Sequence, residues 1–153
     1  MKTFLLKVWQ ALKLPTNLQL FVMRRINDKF LIGVTGIFVD DHNKVLLFKH
    51  TYRDTGRWSL PGGYLKGKEH PKEGLEREIK EESGLVVSAD ERLKIRTDRD
   101  TPRLDIVYSG RFIGGEFIPS SEVMDMGLFS FDELPRLRKD QLIFINKALN
   151  EKD

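Results

Sequence analysis

The segment Gly63–Leu85, GYLKGKEHPKEGLEREIKEESGL, decides how this chain is read. Residues 69–82 have the pattern of a helix, and Ser83-Gly84 closes it, because glycine is the usual residue just past a helix end. Within it Glu78, Glu81 and Glu82 stand at i, i+3 and i+4, so three carboxylates crowd one face. Each like-charged pair at that spacing destabilises a helix by roughly 0.2–0.5 kcal/mol. Glu81 and Glu82 also occupy the last turn, where the macrodipole disfavours anions. A solvated acidic face, tempered by Lys72, Arg77 and Lys80, is one reading. The other is a divalent-cation site, where hard carboxylate oxygens share a positive charge instead of repelling one another. The flanks favour the second. Gly62 and Gly63 permit tight backbone geometry and leave a carbonyl as a further ligand. Gly74 sits in the helix interior, where glycine costs about 0.8–1 kcal/mol relative to alanine; room for the Gly62–Gly63 loop to approach is one explanation and simple tolerance an equal one. Arg77 reaches Glu73 or Glu81 at i±4, either as a surface ion pair or as a donor that orients a metal-binding carboxylate.

The spacing G-x5-E-x7-R-E-U-x-E-E-x-G-U, with U a bulky apolar residue, is met without departure by Gly63, Glu69, Arg77, Glu78, Ile79, Glu81, Glu82, Gly84 and Leu85. In this the chain resembles the Nudix hydrolases. The signature itself spans 23 residues, and a looser resemblance in the flanking strands covers residues 30–150. The resemblance implies an α/β fold, the Nudix-type α/β/α sandwich with a central mixed sheet. It also implies hydrolysis of a nucleoside diphosphate linked to another moiety, with Mg²⁺ or Mn²⁺ as cofactor. By the same resemblance Glu78, Glu81 and Glu82 are expected as metal ligands, with the Gly63 carbonyl as an additional one. One glutamate, inside or outside the box, would activate the attacking water. Arg77 would hold a glutamate in place, and Glu69 would tie the loop to the helix. Glu122 precedes an expected strand where many members carry a distal acid; an exposed loop carboxylate is an equal alternative, and Glu116 is a weaker rival.

Among substrate-contacting candidates, Arg53, Arg57, Arg103 and Tyr108 could meet phosphates or a ring, each with an ordinary surface or packing role as the alternative. Trp58 is expected in the core, with base stacking as its alternative role. Pro102, 17 residues beyond the box, is placed like a downstream proline of ADP-ribose-hydrolysing members. The leading expectation is therefore a small nucleotide substrate, ADP-ribose or a nucleotide sugar. The rivals are a nucleoside triphosphate or RNA 5′-end pyrophosphohydrolase, and a catalytically inactive nucleotide-binding regulator. Intact Glu78, Glu81 and Glu82 argue against the regulator.

Composition bounds these readings. The chain has 153 residues, 40% hydrophobic and 32% charged, without cysteine. That is enough for one domain with a single core. The lack of cysteine removes disulfide scaffolds, thiolate zinc sites, iron–sulfur clusters and thiol nucleophiles. His42, His50 and His70 form no metal-like spacing. The longest apolar stretch, Phe30–Val39, is interrupted by two glycines and a threonine, far from a membrane span. No signal-peptide pattern is evident at the N-terminus, so a soluble, cytoplasmic protein is expected. The formal net charge of +3 hides an asymmetry: residues 1–30 carry six cations against Asp28 alone, a net of +5, and the remainder sums to −2.

Residues 1–29 are expected as a helical extension and residues 30–150 as the Nudix domain. In the extension the periodicity predicts a helix over 3–14, stopped by Pro15, and a second over 16–26 with a Leu18, Phe21, Val22 and Ile26 face. Packing on its own domain, a homodimer contact or attachment to a membrane surface would each use such a face. Strands are expected at Phe30–Val39, Lys44–Lys49, Trp58–Leu60, Leu85–Ser88, Leu93–Thr97, Leu104–Phe112 and Gly127–Ser130, and a last helix at Gln141–Asn150.

Overall fold

The computed structural model describes residues 14–51, 57–97 and 100–150. The expected helix over 3–14 lies outside them apart from Leu14. The chain divides into two compact units at Phe30/Leu31. In the first, helix α1 spans Thr16–Ile26 and has no buried residue; Leu18, Phe21 and Ile26 are exposed, and Arg25 lies over the Phe21 ring. Among the described residues no helix is long and apolar enough to cross a membrane.

The second unit is built on one seven-stranded sheet. Its strands are β1 Leu31–Val39, β2 Val45–His50, β3 Trp58–Ser59, β4 Gly62–Tyr64, β5 Val86–Thr97, β6 Arg103–Gly114 and β7 Val123–Phe129. The order is β3-β2-β1-β6-β5, with β4 on β1 and β7 on β2. The pairing of β1 with β6 is parallel and the others are antiparallel, so the sheet is mixed. Strand β1 is shared along its length: residues 33–35 pair with β4, and Val39 pairs with β2.

Two helices, α2 Pro71–Ser83 and α3 Lys139–Asn150, complete the unit. Alternation along β1 shows why they lie on opposite faces, since successive strand residues point to opposite sides. Val34 and Phe38 enter the core that holds Leu75 and Ile79 of α2. Ile37 and Val39 enter the second core, with Phe144, Ile145 and Ala148 of α3. The result is the α/β/α sandwich. Each such fully buried side chain contributes about 1.5–3 kcal/mol relative to exposure, and Phe38, Ile37, Leu75, Ile79 and Ile145 are all fully buried.

The structure departs from the expected elements in four places. Residues 86–88 and 93–97 belong to one continuous strand, β5, which pairs with β6 through register shifts around Asp90 and Leu93. Asp90 interrupts the apolar pattern because it bonds the Ser88 hydroxyl and the Arg111 guanidinium instead of the core. Strand β7 starts at Val123, four residues before the expected one, as its first half pairs with β2 although Met124 and Asp125 carry little strand propensity. The Pro61-Gly62-Gly63 segment runs into a short strand, β4, and is not only a turn; a Cβ on Gly62 would strike the Val34 carbonyl across the pairing. Finally, α2 begins at Pro71, and His70 is its N-cap, accepting from the Lys72 N–H while Glu73 accepts from the His70 N–H. His70 itself is exposed.

Candidate active site

The glutamates of α2 are held by one guanidinium. Arg77 donates through Nε and Nη2 to the two oxygens of Glu69, at 3.0 and 2.8 Å, in a bidentate pair. Its Nη1 donates to Glu78 at 2.6 Å and to Glu81 at 2.9 Å. Both sequence readings of Arg77 therefore coexist: it pairs at i+4 and orients carboxylates. Glu69 also accepts the Lys66 N–H at 2.5 Å, so it ties the loop after β4 to α2. The Arg77 bonds foremost, then the Lys66 N–H, hold its carboxyl down to about 2. Lys66 and Arg77 hold the Glu81 carboxyl below its ordinary value, and the Arg77 guanidinium is raised in return, chiefly by Glu69.

Two glycines set the fit of this helix. A Cβ on Gly63 would lie 2.6 Å from Glu78 Oε2, so the Glu78 side chain rests directly on the Gly63 backbone. A Cβ on Gly74 would strike Leu65 and come within 2.8 Å of Glu69 Oε1. The group packed over Gly74 is thus the Leu65–Glu69 segment and not the Gly62–Gly63 loop. At the far end Gly84 takes φ 74°, the left-handed cap, and Lys80 donates to its carbonyl at 2.7 Å.

A cleft of about 940 Å³ joins this helix to the other side of the sheet. Gly63, Glu78, Glu82 and Glu122 line it. Glu78 is 17% exposed, and Glu82 Oε2 is shielded from solvent. Glu81 is not part of the lining; it is about half exposed and turned to Arg77 and Lys66. Arg103 lines the cleft, and its guanidinium lies over the Tyr64 ring. The remaining substrate candidates lie elsewhere. Tyr108 is buried in the core on the α2 side, Trp58 packs edge-on against Phe129, and Arg57 is exposed outside the cleft lining. Arg53 lies outside the described residues.

The cleft also contains residues that sequence reasoning passed over: Arg96, Asp105, Arg138, Asp140, Gln141 and Phe144. One signal was present. Asp105 stands between Leu104 and the apolar run Ile106-Val107-Tyr108, and a carboxylate there must find partners when buried. Asp105 is indeed buried and pairs with both Arg103 and Arg96.

Whether these residues suit a divalent ion can be tested on the geometry. Among the described residues no group of three or more acidic or histidine side chains stands gathered around one metal position, because Arg77 draws Glu78 and Glu81 to itself. The donor set nevertheless fits: hard oxygens from Glu78 and Glu82 line one cleft beside the Gly63 backbone, in a cradle that any Cβ at Gly63 would fill.

Comparison with known proteins follows the same lines. Residues 29–148 match the NUDIX domain. The chain is 36% identical over 115 residues to an ADP-ribose pyrophosphatase of Methanocaldococcus jannaschii, covering 71% of this chain and 67% of that one. It is 30% identical to a MutT-like protein of Streptomyces ambofaciens, covering 67% of this chain and 66% of that protein. The chain thus spans about two thirds of the length of these relatives. An ADP-ribose pyrophosphatase crystal structure from Streptococcus suis superposes with a TM-score of 0.67 at 30% identity, covering 78% of this chain and 92% of that one. The box on α2, the sandwich around it and the match over residues 29–148 make this chain a member of the Nudix family of pyrophosphohydrolases.

Proposed function

We propose that this protein hydrolyses the pyrophosphate link of a nucleoside diphosphate joined to a sugar, with ADP-ribose as the best representative, in a Mg²⁺- or Mn²⁺-dependent reaction. The observation that carries the reading is the single cleft in which Gly63, Glu78, Glu82 and Glu122 share a lining with Arg96 and Arg103. A cleft lined by both carboxylates and guanidiniums suits a substrate whose charged diphosphate continues into a polar moiety. The names of the relatives from M. jannaschii and S. suis support the choice of ADP-ribose.

Glu78, Glu82 and the Gly63 carbonyl would hold the ion, with Glu81 joining them on release from Lys66. Bound there, a divalent cation neutralises diphosphate charge and lowers the pKa of water. The chain's own residues do the remainder. Arg77 aims the Glu78 and Glu81 carboxylates through its hydrogen bonds to both. A glutamate of the cleft, Glu82 or Glu122, takes the proton from the attacking water. Arg96 and Arg103 receive the part of the substrate beyond the diphosphate.

The deciding experiment measures phosphorus-containing products from ADP-ribose, nucleotide sugars, nucleoside triphosphates and a 5′-triphosphate RNA, with Mg²⁺, with Mn²⁺ and with a chelator. ADP-ribose or a nucleotide sugar leading the panel, with loss of turnover on chelation and in Glu82→Gln, is the expected result. Preference for the triphosphates or RNA would transfer the assignment to those substrates. Nucleotide binding without turnover would make the protein a regulator. Calorimetric titration of Mn²⁺ into both proteins supplies a readout independent of turnover.

A further inference from the structure

The part of the cleft remote from Glu78 is a chain of alternating cations and anions. Arg138 donates to Asp140 through Nε and Nη2, at 3.0 and 2.7 Å. Asp140 also accepts from Arg96 Nη1 at 2.8 Å, and Arg96 Nε lies 3.4 Å from Asp105. Asp105 in turn accepts from Arg103 Nε at 2.6 Å, and Arg103 Nη1 donates to the Tyr64 hydroxyl at 3.1 Å. The sheet sets this row: Tyr64, Gly33, Asp105 and Arg96 are successive cross-strand partners on β4, β1, β6 and β5. Gly33 has no Cβ to obstruct it; one there would strike Asp105 and lie 2.9 Å from Arg103 Nη2. From the other side α3 supplies Phe144, whose ring lies 5.4 Å beneath the Arg96 guanidinium. Arg96 is therefore fixed between two carboxylates and an aromatic face.

The pattern of donors and acceptors states what such a wall can recognise. A phosphate offers acceptors only, so a site for one presents donors and an excess of positive charge. Here three guanidiniums are offset by two carboxylates, and every donor is interleaved with an acceptor. A sugar hydroxyl both donates and accepts, and two adjacent hydroxyls match a carboxylate and its paired guanidinium together. A second observation points the same way. Gln141, on the first turn of α3 and on the cleft lining, is about nine-tenths buried, and its Oε1 has no hydrogen-bond partner. An orphaned acceptor is destabilising and is satisfied by a donor, which a hydroxyl supplies and an ionised phosphate does not.

We propose that Asp105, Arg96, Asp140 and Gln141 form a subsite for the vicinal diol of a ribose, and that it selects sugar-bearing substrates. The inference deepens the reading above and rests on it for the presence of a nucleotide in the cleft. The diol has two sources in such compounds, the nucleoside ribose and the terminal sugar.

The test uses Asp140→Asn in the full-length protein, with three compounds: ADP-ribose, ATP and 2′,3′-dideoxy-ATP. Dissociation constants are measured by calorimetry in chelator, and kcat and KM with Mg²⁺. The wild type is expected to bind at least one diol-bearing compound tenfold or more tighter than dideoxy-ATP. In Asp140→Asn that preference falls at least tenfold, through KM, with dideoxy-ATP unchanged within twofold. Loss on ADP-ribose alone assigns the diol to the terminal sugar; equal loss on ADP-ribose and ATP assigns it to the nucleoside ribose. Tighter binding of ATP in Asp140→Asn, from the carboxylate charge removed, would show a phosphate subsite and overturn the proposal. Equal weakening of all three compounds would also overturn it, by reducing Asp140 to a scaffold. If nothing is hydrolysed while the diol preference in binding persists, the activity reading falls and the subsite stands. If hydrolysis proceeds without that preference, the subsite falls alone. Gln141→Leu, which removes the orphaned acceptor and no ion pair, carries the same measurements should Asp140→Asn fail to fold.

Discussion

The two walls of the cleft meet the same difficulty, crowded like charges, in opposite proportions. At α2, Glu69 of the entry loop and Glu78 and Glu81 of the helix converge on Arg77, with Lys66 assisting at Glu81. Across the cleft Arg96, Arg103 and Arg138 share Asp105 and Asp140. The first wall has a surplus of anions. The second is nearly balanced, so a ligand there exchanges hydrogen bonds and does not neutralise charge. On the proposed reading, the anion-rich wall supplies the chemistry and the balanced one the selection.

The largest effect that could break this contrast is at the carboxylates facing the cleft. Glu78→Gln and Glu82→Gln are each expected to lower kcat by about 10²–10⁴-fold, with the thermal midpoint changed far less than the rate. Glu81→Gln, whose carboxylate is exposed and turned to Lys66, is expected to lose less. If Glu81→Gln is the most damaged of the three, the functional wall extends past the cleft lining. Next in size is Gly63→Ala. Its Cβ must displace Glu78, and overpacking of this kind typically costs 1–3 kcal/mol. Kinetics should show a loss of about tenfold or more, since a misplaced reacting group is costly in rate. Unchanged kinetics would mean that Glu78 does not act from its place on Gly63.

The same two walls differ in how far they can be read from a sequence. The α2 wall is contiguous: Glu69, Arg77, Glu78, Glu81 and Glu82 fall within one helix and its entry loop, so a fixed helical period brings them together. The destabilising spacing of the glutamates is itself the signal. The opposite wall draws Arg96 from β5, Asp105 from β6 and Asp140 from α3. Only the parallel pairing of β1 with β6 and the register of β5 align them, and neither is encoded in local periodicity. The core was legible where alternation is clean, as in Val34 to Val39 of β1. It was not legible in β4, where two glycines have no strand propensity and are present because backbones approach closely. Tyr108 shows the converse: a polar aromatic reads as a substrate contact, yet its strand position places it in the core.

Smaller effects sharpen the contrast by stability. Arg77→Lys keeps one positive charge but loses the planar fork that spans Glu69 and reaches Glu78 and Glu81. A loss of about 1.5–3 kcal/mol in denaturant unfolding is expected, the range for hydrogen bonds to charged groups. A loss near zero would show that α2 tolerates its glutamates without the fork.

The smallest effect is at Arg138, which is well exposed, so its pair with Asp140 contributes less than about 1 kcal/mol. The pair still leaves a signature in pH. Burial by itself would raise the Asp140 carboxyl, but hydrogen bonds from Arg96 and Arg138 outweigh it and hold the group below its usual 3.8. A carboxyl lowered by folding stabilises the native state above its unfolded pKa, and the contribution is lost as pH falls through the folded value. Arg138→Gln removes part of that lowering. Its Tm should therefore lie below that of the wild type at about pH 6, and the two should converge below about pH 4 as Asp140 takes up its proton in both. A Tm difference that is constant across this range would mean that Arg138 acts by packing alone. Asp140 would then be held by Arg96 from the sheet, and the balance of the second wall would rest on β5 and β6 without help from the segment before α3.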